Sequence, residues 1–175
     1  HPDLYREGLA NSVGESVLRS DVLMLVPKVD LQMRLKEILS TAENGPAQSL
    51  HESRYSLVAY PFSTEYQNSN QWVLEVLAAA ATPGSPSTDR KQVQAWLRTA
   101  GYRPAVLHIK LHERLAARFG IDNATTTDHP VSERLSGDYS VVTVDSVVDF
   151  MTAQQWLAQE LVVPRSTDLA GSAAN

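Results

Sequence analysis

The stretch from Gln71 to Ala81 constrains the fold most. After Gln71 come Trp72, Val73, Leu74, Val76, Leu77 and the alanines 78–81, with Glu75 the one clearly polar residue among them. A helix apolar on nearly every side must be covered on most of its faces, so the segment predicts a central buried helix. Immediately before it stands Tyr66-Gln67-Asn68-Ser69-Asn70, a block dense in hydrogen-bonding side chains. Such a block at the mouth of a buried helix points either to a site or to an elaborate helix cap.

Shorter elements surround that helix. Leu4 to Leu18 is weakly helical, and Asp21 to Val26 is an apolar run closed by Pro27 that reads as a buried strand. Leu31, Leu35, Ile38 and Leu39 recur at helical spacing behind Asp30 as N-cap, and residues 42–49 read as a loop. Tyr55 to Tyr60 predicts a strand ended by Pro61. Thr82 to Ser87 predicts an exposed connection, and Asp89 to Ala100 an amphipathic helix with Gly101 just past its end. Ala105 to Ile109 predicts a strand, Leu111 to Phe119 a short helix, and residues 121–138 an irregular stretch. Tyr139 to Val148 reads as the strongest strand because of its β-branched residues, followed by a short helix over Ala153 to Gln159. Strands mixed with helices, without regular βαβ spacing, predict an α+β fold: a small mixed or antiparallel sheet packed on the buried central helix. Residues 1–160 are expected to form one domain and 161–175 a flexible tail.

Composition excludes several classes. Fifteen Lys and Arg against twenty Asp and Glu give 15 − 20 = −5. With no basic stripe interleaved with aromatics, nucleic acid is not an expected partner. The absence of cysteine removes disulfides, thiolate catalysis and sulfur-ligated zinc, and leaves the redox compartment open. No apolar run approaches the roughly 20 residues of a membrane-spanning helix. The sequence opens at His1-Pro2 without an initiator Met, from which a processed or shortened chain is expected. A fold short of one strand would expose a sheet edge or an apolar groove.

Tyr55-Ser56-Leu57-Val58-Ala59-Tyr60-Pro61 and the block from Tyr66 to Ala78 resemble the bacterial domain of unknown function 2145 family. Gln94-Ala95-Trp96-Leu97, Gly101-Tyr102-Arg103-Pro104, Asp128-His129-Pro130, Val142 to Val147 and the opening Leu4 to Asn11 fit the same pattern. The resemblance implies an exported protein, periplasmic or secreted, with no established activity. Asn68-Ser69-Asn70-Gln71-Trp72-Val73 is also similar to the nucleophile block of circularly permuted papain-like hydrolases of the NlpC type. Ser69 there stands in the place of the nucleophilic Cys, and the upstream His strand has no counterpart.

Two readings follow. In the first, the chain is a non-catalytic or degenerate papain-like module that binds a peptide, glycan or partner protein, with Tyr60, Tyr66, Gln67, Asn68 and Asn70 lining the site. In the second, it is a serine-type amide or ester hydrolase or transferase. Ser69 would attack from the first turn of the helix, where free N–H groups can stabilise an oxyanion. His51 or His129 would take its proton, and Asp145, expected mid-strand where a carboxylate must be paired, would orient the base. Asn and Ser ahead of a helix are also the commonest caps, so bracing is the plain explanation of Asn68, Ser69 and Asn70. His108 and His112 lose their helical spacing across a strand and a helix, and neither a metal nor a cofactor is expected.

Overall fold

The computed structural model describes residues 22–40, 45–82, 87–110 and 124–163. The helices expected over Leu4–Leu18 and Leu111–Phe119, and the end of the chain from residue 164, lie outside them. The fold is α+β, with small two-stranded sheets. In chain order the elements are β1 (Val22–Pro27), α1 (Val29–Ser40), α2 (Pro46–Ser49), α3 (Ser69–Ala81) and α4 (Arg90–Thr99). There follow β2 (Ala105–His108), α5 (Val131–Ser136), β3 (Asp138–Val141), α6 (Val144–Ala153) and β4 (Leu157–Val163).

Contacts divide the chain into two compact units, Pro27–Leu157 and a pairing of His1–Val26 with Ala158–Asn175. The described part of the smaller unit is the sheet β1-β4. In the larger unit α3 is central: α1, α4 and α6 all pack on it. Leu74, Glu75, Val76, Leu77, Ala78, Ala79 and Ala80 are buried, as the apolar run requires. Asn68 caps the helix by accepting the Gln71 N–H at 2.8 Å. At the other end the Arg34 guanidinium of α1 donates to the Ala81 carbonyl at 3.3 Å, a cation placed against the negative end of the helix dipole.

β2 and β3 pair antiparallel, Ala105 opposite Val141 and Leu107 opposite Tyr139. Val58, Tyr139 and Val141 form a small core there, joined by Ala105, Ile109 and Ala124.

Several expectations need correction. Asp30 lies inside the first turn of α1 rather than capping it, and the loop over 42–49 contains α2. The irregular stretch 121–138 contains α5. Tyr55–Tyr60 is no strand; only a single parallel bridge joins Tyr55 to Gln67. The strand expected over Tyr139–Val148 stops at Val141. There Thr143 accepts the Ser146 N–H at 3.2 Å while Ser146 Oγ accepts the Thr143 N–H at 3.0 Å, a reciprocal cap that starts α6. Val147, Phe150 and Met151, at helical spacing, supply its buried face and outweigh the β-branched composition. The short helix expected over Ala153–Gln159 is replaced by the end of α6 and the start of β4.

Helices α4 and α6 end alike. Gly101 and Gln155 both hold left-handed φ, 82° and 56°. The following residues, Tyr102 and Trp156, donate back to Leu97 and Met151 at 2.9 Å each, the 6→1 bond of a Schellman turn. A side chain at Gly101 would meet nothing within 4 Å, so only backbone strain opposes one. Chemical denaturation should therefore show Gly101→Ala destabilised by about 1–2 kcal/mol and Gln155→Gly stabilised; a neutral Gly101→Ala would contradict the strained-turn assignment.

Candidate functional site

Between α2 and α3 the chain runs from Leu50 to Asn68 with no helix or strand, yet Leu50, Ser56, Val58, Ala59, Pro61 and Gln67 are buried. Backbone groups taken out of water need partners, and here side chains supply them. Asn68 Nδ2 donates to the Leu57 carbonyl at 3.2 Å, and His129 Nε2 to that of Val58 at 2.6 Å. Gln71 Nε2 reaches the Tyr60 and Pro61 carbonyls at 3.4 and 3.3 Å. Gln94 Nε2 donates to Ser63, and Arg90 to Ser63, Thr64 and Tyr66. Asp128 accepts the Tyr60 N–H at 2.9 Å. Gln67 closes the set: Nε2 donates to the Leu50 carbonyl and Oε1 accepts the Glu52 N–H, both at 2.9 Å.

Glu75 gathers these donors. Its Oε2 accepts Arg90 Nε at 2.8 Å and Gln67 Nε2 at 2.7 Å; its Oε1 accepts Gln94 Nε2 at 2.8 Å, Arg90 at 3.2 Å and Gln71 Nε2 at 3.3 Å. The side chains of Glu75 and Arg90 are 0% and 7% exposed. Burial pushes the Glu75 carboxyl above its usual range, while Arg90, Gln94 and Gln67 pull against it. Since every neighbour at hydrogen-bonding distance donates, the pocket fits the carboxylate and offers a carboxyl proton no acceptor.

A second cluster pins the same loop from the β2–β3 side. His129 is buried, and its ring Nδ1 lies 2.8 Å from Glu133 Oε2 while Nε2 bonds Val58. Both partners are acceptors, so the two bonds stand together only with a hydrogen on each ring nitrogen. Tyr60 and Tyr139 flank the ring, with centroids 5.3 and 5.0 Å away. Burial raises the Asp128 carboxyl, with the Tyr60 N–H and His129 opposing it; its Oδ1 has no hydrogen-bond partner among the described residues. Glu133 accepts the Ser140 hydroxyl at 2.7 Å and the Ser140 N–H at 3.0 Å. Burial pushes its carboxyl up, but His129 and Ser140 together hold it below the usual range.

The expected site residues separate in this structure. Ser69 is exposed in the first turn of α3, and no hydrogen bond joins its hydroxyl to His51 or His129 among the described residues. Asp145 is not mid-strand. It is exposed in the first turn of α6, where a carboxylate needs no partner because the helix dipole favours it. Gln67 and Asn68 are buried braces of the loop and the helix cap; Asn70 donates to the Val142 carbonyl at 3.4 Å. Tyr60 and Tyr66 are half-buried. Among the described residues no three acidic or histidine side chains gather as metal ligands, and no helix is long and apolar enough to cross a membrane.

Two open clefts adjoin the loop and share His51. One, of about 420 Å³, is bounded by Ile38, Leu39, Ala47, Gln48 and the half-buried Trp72 ring, whose Nε1 donates to the Ala47 carbonyl at 3.0 Å. The other, of about 560 Å³, is polar and lined by Glu52, Arg54, Thr64, Asp89 and Lys91. None of Tyr60, Tyr66, Gln67, Asn68 and Asn70 lines either cleft. The sequence reading missed Trp72 as a surface residue and Arg90 and Gln94 as buried ones. The signal for the last two was their i, i+4 spacing, which sets both on one face of α4 opposite the lone carboxylate of α3.

A buried helix bearing one carboxylate, and an irregular loop held to it by carboxamides, define an α+β domain whose Asn- and Gln-rich block braces the backbone. The chain belongs to the family described as uncharacterized protein conserved in bacteria (DUF2145), whose family model matches residues 1–151. No curated protein and no solved structure matches it.

The lowered carboxyl of Glu133 makes a pH prediction. A carboxylate depressed in the fold stabilises it above the unfolded-state value, near 4.5, and loses that contribution as pH falls through the lower folded-state value. Glu133→Gln should therefore melt below wild type at pH 7, with the gap closing as the pH is taken below 4.5. A gap unchanged across that range would show that the charge is not what matters.

Proposed function

We propose that this chain is an exported bacterial protein acting as a non-catalytic binding module, a degenerate relative of papain-like enzymes, whose surface groove at His51 and Trp72 takes a segment of peptide, glycan or partner protein. The observation that carries the reading is the commitment of His129. Both of its ring nitrogens are engaged, by Val58 and Glu133, so neither is left to take a proton from Ser69. Nucleophilic attack by a serine hydroxyl needs such a base within hydrogen-bond reach. Export rests on the family resemblance alone.

The groove supplies what a binding module needs. An apolar cleft with an aromatic wall meets a polar cleft at His51, and volumes of about 420 and 560 Å³ suit one or two side chains or sugar rings. A fluorophosphonate probe should leave the protein unlabelled. Labelling of wild type that Ser69→Ala abolishes would establish the hydrolase instead. Ligands drawn from printed glycan and peptide arrays should bind Trp72→Ala and His51→Ala at least ten-fold more weakly than wild type; indifference to both substitutions would move the site elsewhere.

A further inference from the structure

We propose that the outer edge of β2 is a second interaction surface, which takes an extended segment of a partner polypeptide as an added strand. It goes beyond the groove reading and stands independently of it.

The pairing decides which backbone groups face outward. On β3, the Ser140 N–H bonds the Glu133 carboxylate at 3.0 Å and the Asp138 N–H bonds Ser136 Oγ at 3.1 Å, so neither turns toward β2. Their partners across the ladder are Val106 and His108. Those two residues therefore stand in non-hydrogen-bonded pairs, with N–H and C=O directed away from β3. The flanking Ile109 N–H, by contrast, turns inward to the Gly137 carbonyl at 2.9 Å.

The two edges of this sheet are treated differently. Side-chain acceptors from α5, Glu133 and Ser136, close the β3 edge. At the β2 edge, no described residue bonds the outward groups of Val106 and His108; Val106 is 66% exposed and the His108 side chain 62%. Two donors and two acceptors at alternate residues match the backbone of an extended chain, and only a polypeptide carries that pattern. Val106 and the half-exposed Leu107 offer apolar contact on opposite faces, while the His108–Asp138 pair, 2.7 Å apart, adds a charged neighbour beside Val106. Pro104, with no N–H, sits just before the strand and limits the added strand to the Val106–His108 register. An edge this short favours a transient peptide contact over a second copy, because four backbone bonds fall far short of a stable dimer interface.

Heptapeptides selected from a random display library against the full chain provide the probe, and amide hydrogen exchange the readout. In the free protein the Val106 and His108 amides should exchange near the unprotected rate, while the Leu107 and Ile109 amides are protected. A selected peptide should slow exchange at Val106 and His108 at least ten-fold. N-methylation at alternate peptide positions should abolish binding in one phase and spare it in the other, a test that leaves the protein unaltered. Val106→Pro, with its fold checked by circular dichroism, should weaken binding at least ten-fold. Protection appearing only with rising protein concentration would overturn the proposal in favour of a second copy. Peptides that protect residues around His51 and Trp72 instead would overturn it while leaving the groove reading standing, and selection of no peptide would overturn it outright.

Discussion

The structure of the larger unit depends on one buried ion pair. Glu75 on α3 and Arg90 on α4 lie out of water within a shell of three glutamines, and the guanidinium spends its other hydrogens on loop carbonyls. A carboxylate and a guanidinium are costly to desolvate, and their attraction offsets that cost only where geometry and further hydrogen bonds are good. Here they are good, and the consequence is specificity of place. Helix α3 cannot rotate or slide relative to α4 without exposing a charge to an apolar wall. The same charges orient Gln67, Gln71 and Gln94, whose free hydrogens then hold backbone carbonyls.

This explains why a long irregular segment lies partly buried beside a helix. A strand would satisfy its backbone through a ladder; the segment from Leu50 to Asn68 does so through its own Gln67 and Asn68 and through side chains of α3, α4 and the 128–129 turn. The Asn and Gln block therefore serves the fold first, and the surfaces proposed for recognition, the groove at His51 and the outer edge of β2, are built from other residues.

Local signals in the sequence located the elements whose determinants are local. The apolar run places α3, Asn68 caps its start as the bracing explanation expected, and Gly101 marks the end of α4 with a positive φ; Asp89, expected as the first helical residue, is the cap of α4. Determinants distant in sequence were not legible. Tyr55–Tyr60 has strand composition, but its carbonyls and amides are claimed by Asn68, Asp128 and His129, up to 71 positions away. Tyr139–Val148 misled because β-branched composition was weighed above the Thr143–Ser146 cap, a signal present in the sequence. Of the candidate site, the capping of α3 by Asn68 was legible, but the block from Tyr66 to Asn70 lines neither cleft and the bracing roles of its residues were not legible. Whether Gln67 faces a ligand or a buried carboxylate depends on Arg90, and no spacing rule connects the two.

Amide exchange combined with chemical denaturation of Glu75→Gln tests the central claim most directly. The substitution keeps the shape and removes the charge, leaving Arg90 buried and unpaired. It should cost about 3–5 kcal/mol. Exchange at Glu52, Ser56 and Gln67, whose N–H groups bond within the loop network, should accelerate more than at Leu107 and Ile109 in the β2–β3 ladder. A loss below about 1 kcal/mol, in the range of an ordinary surface pair, would contradict the account, as would acceleration spread evenly over loop and ladder.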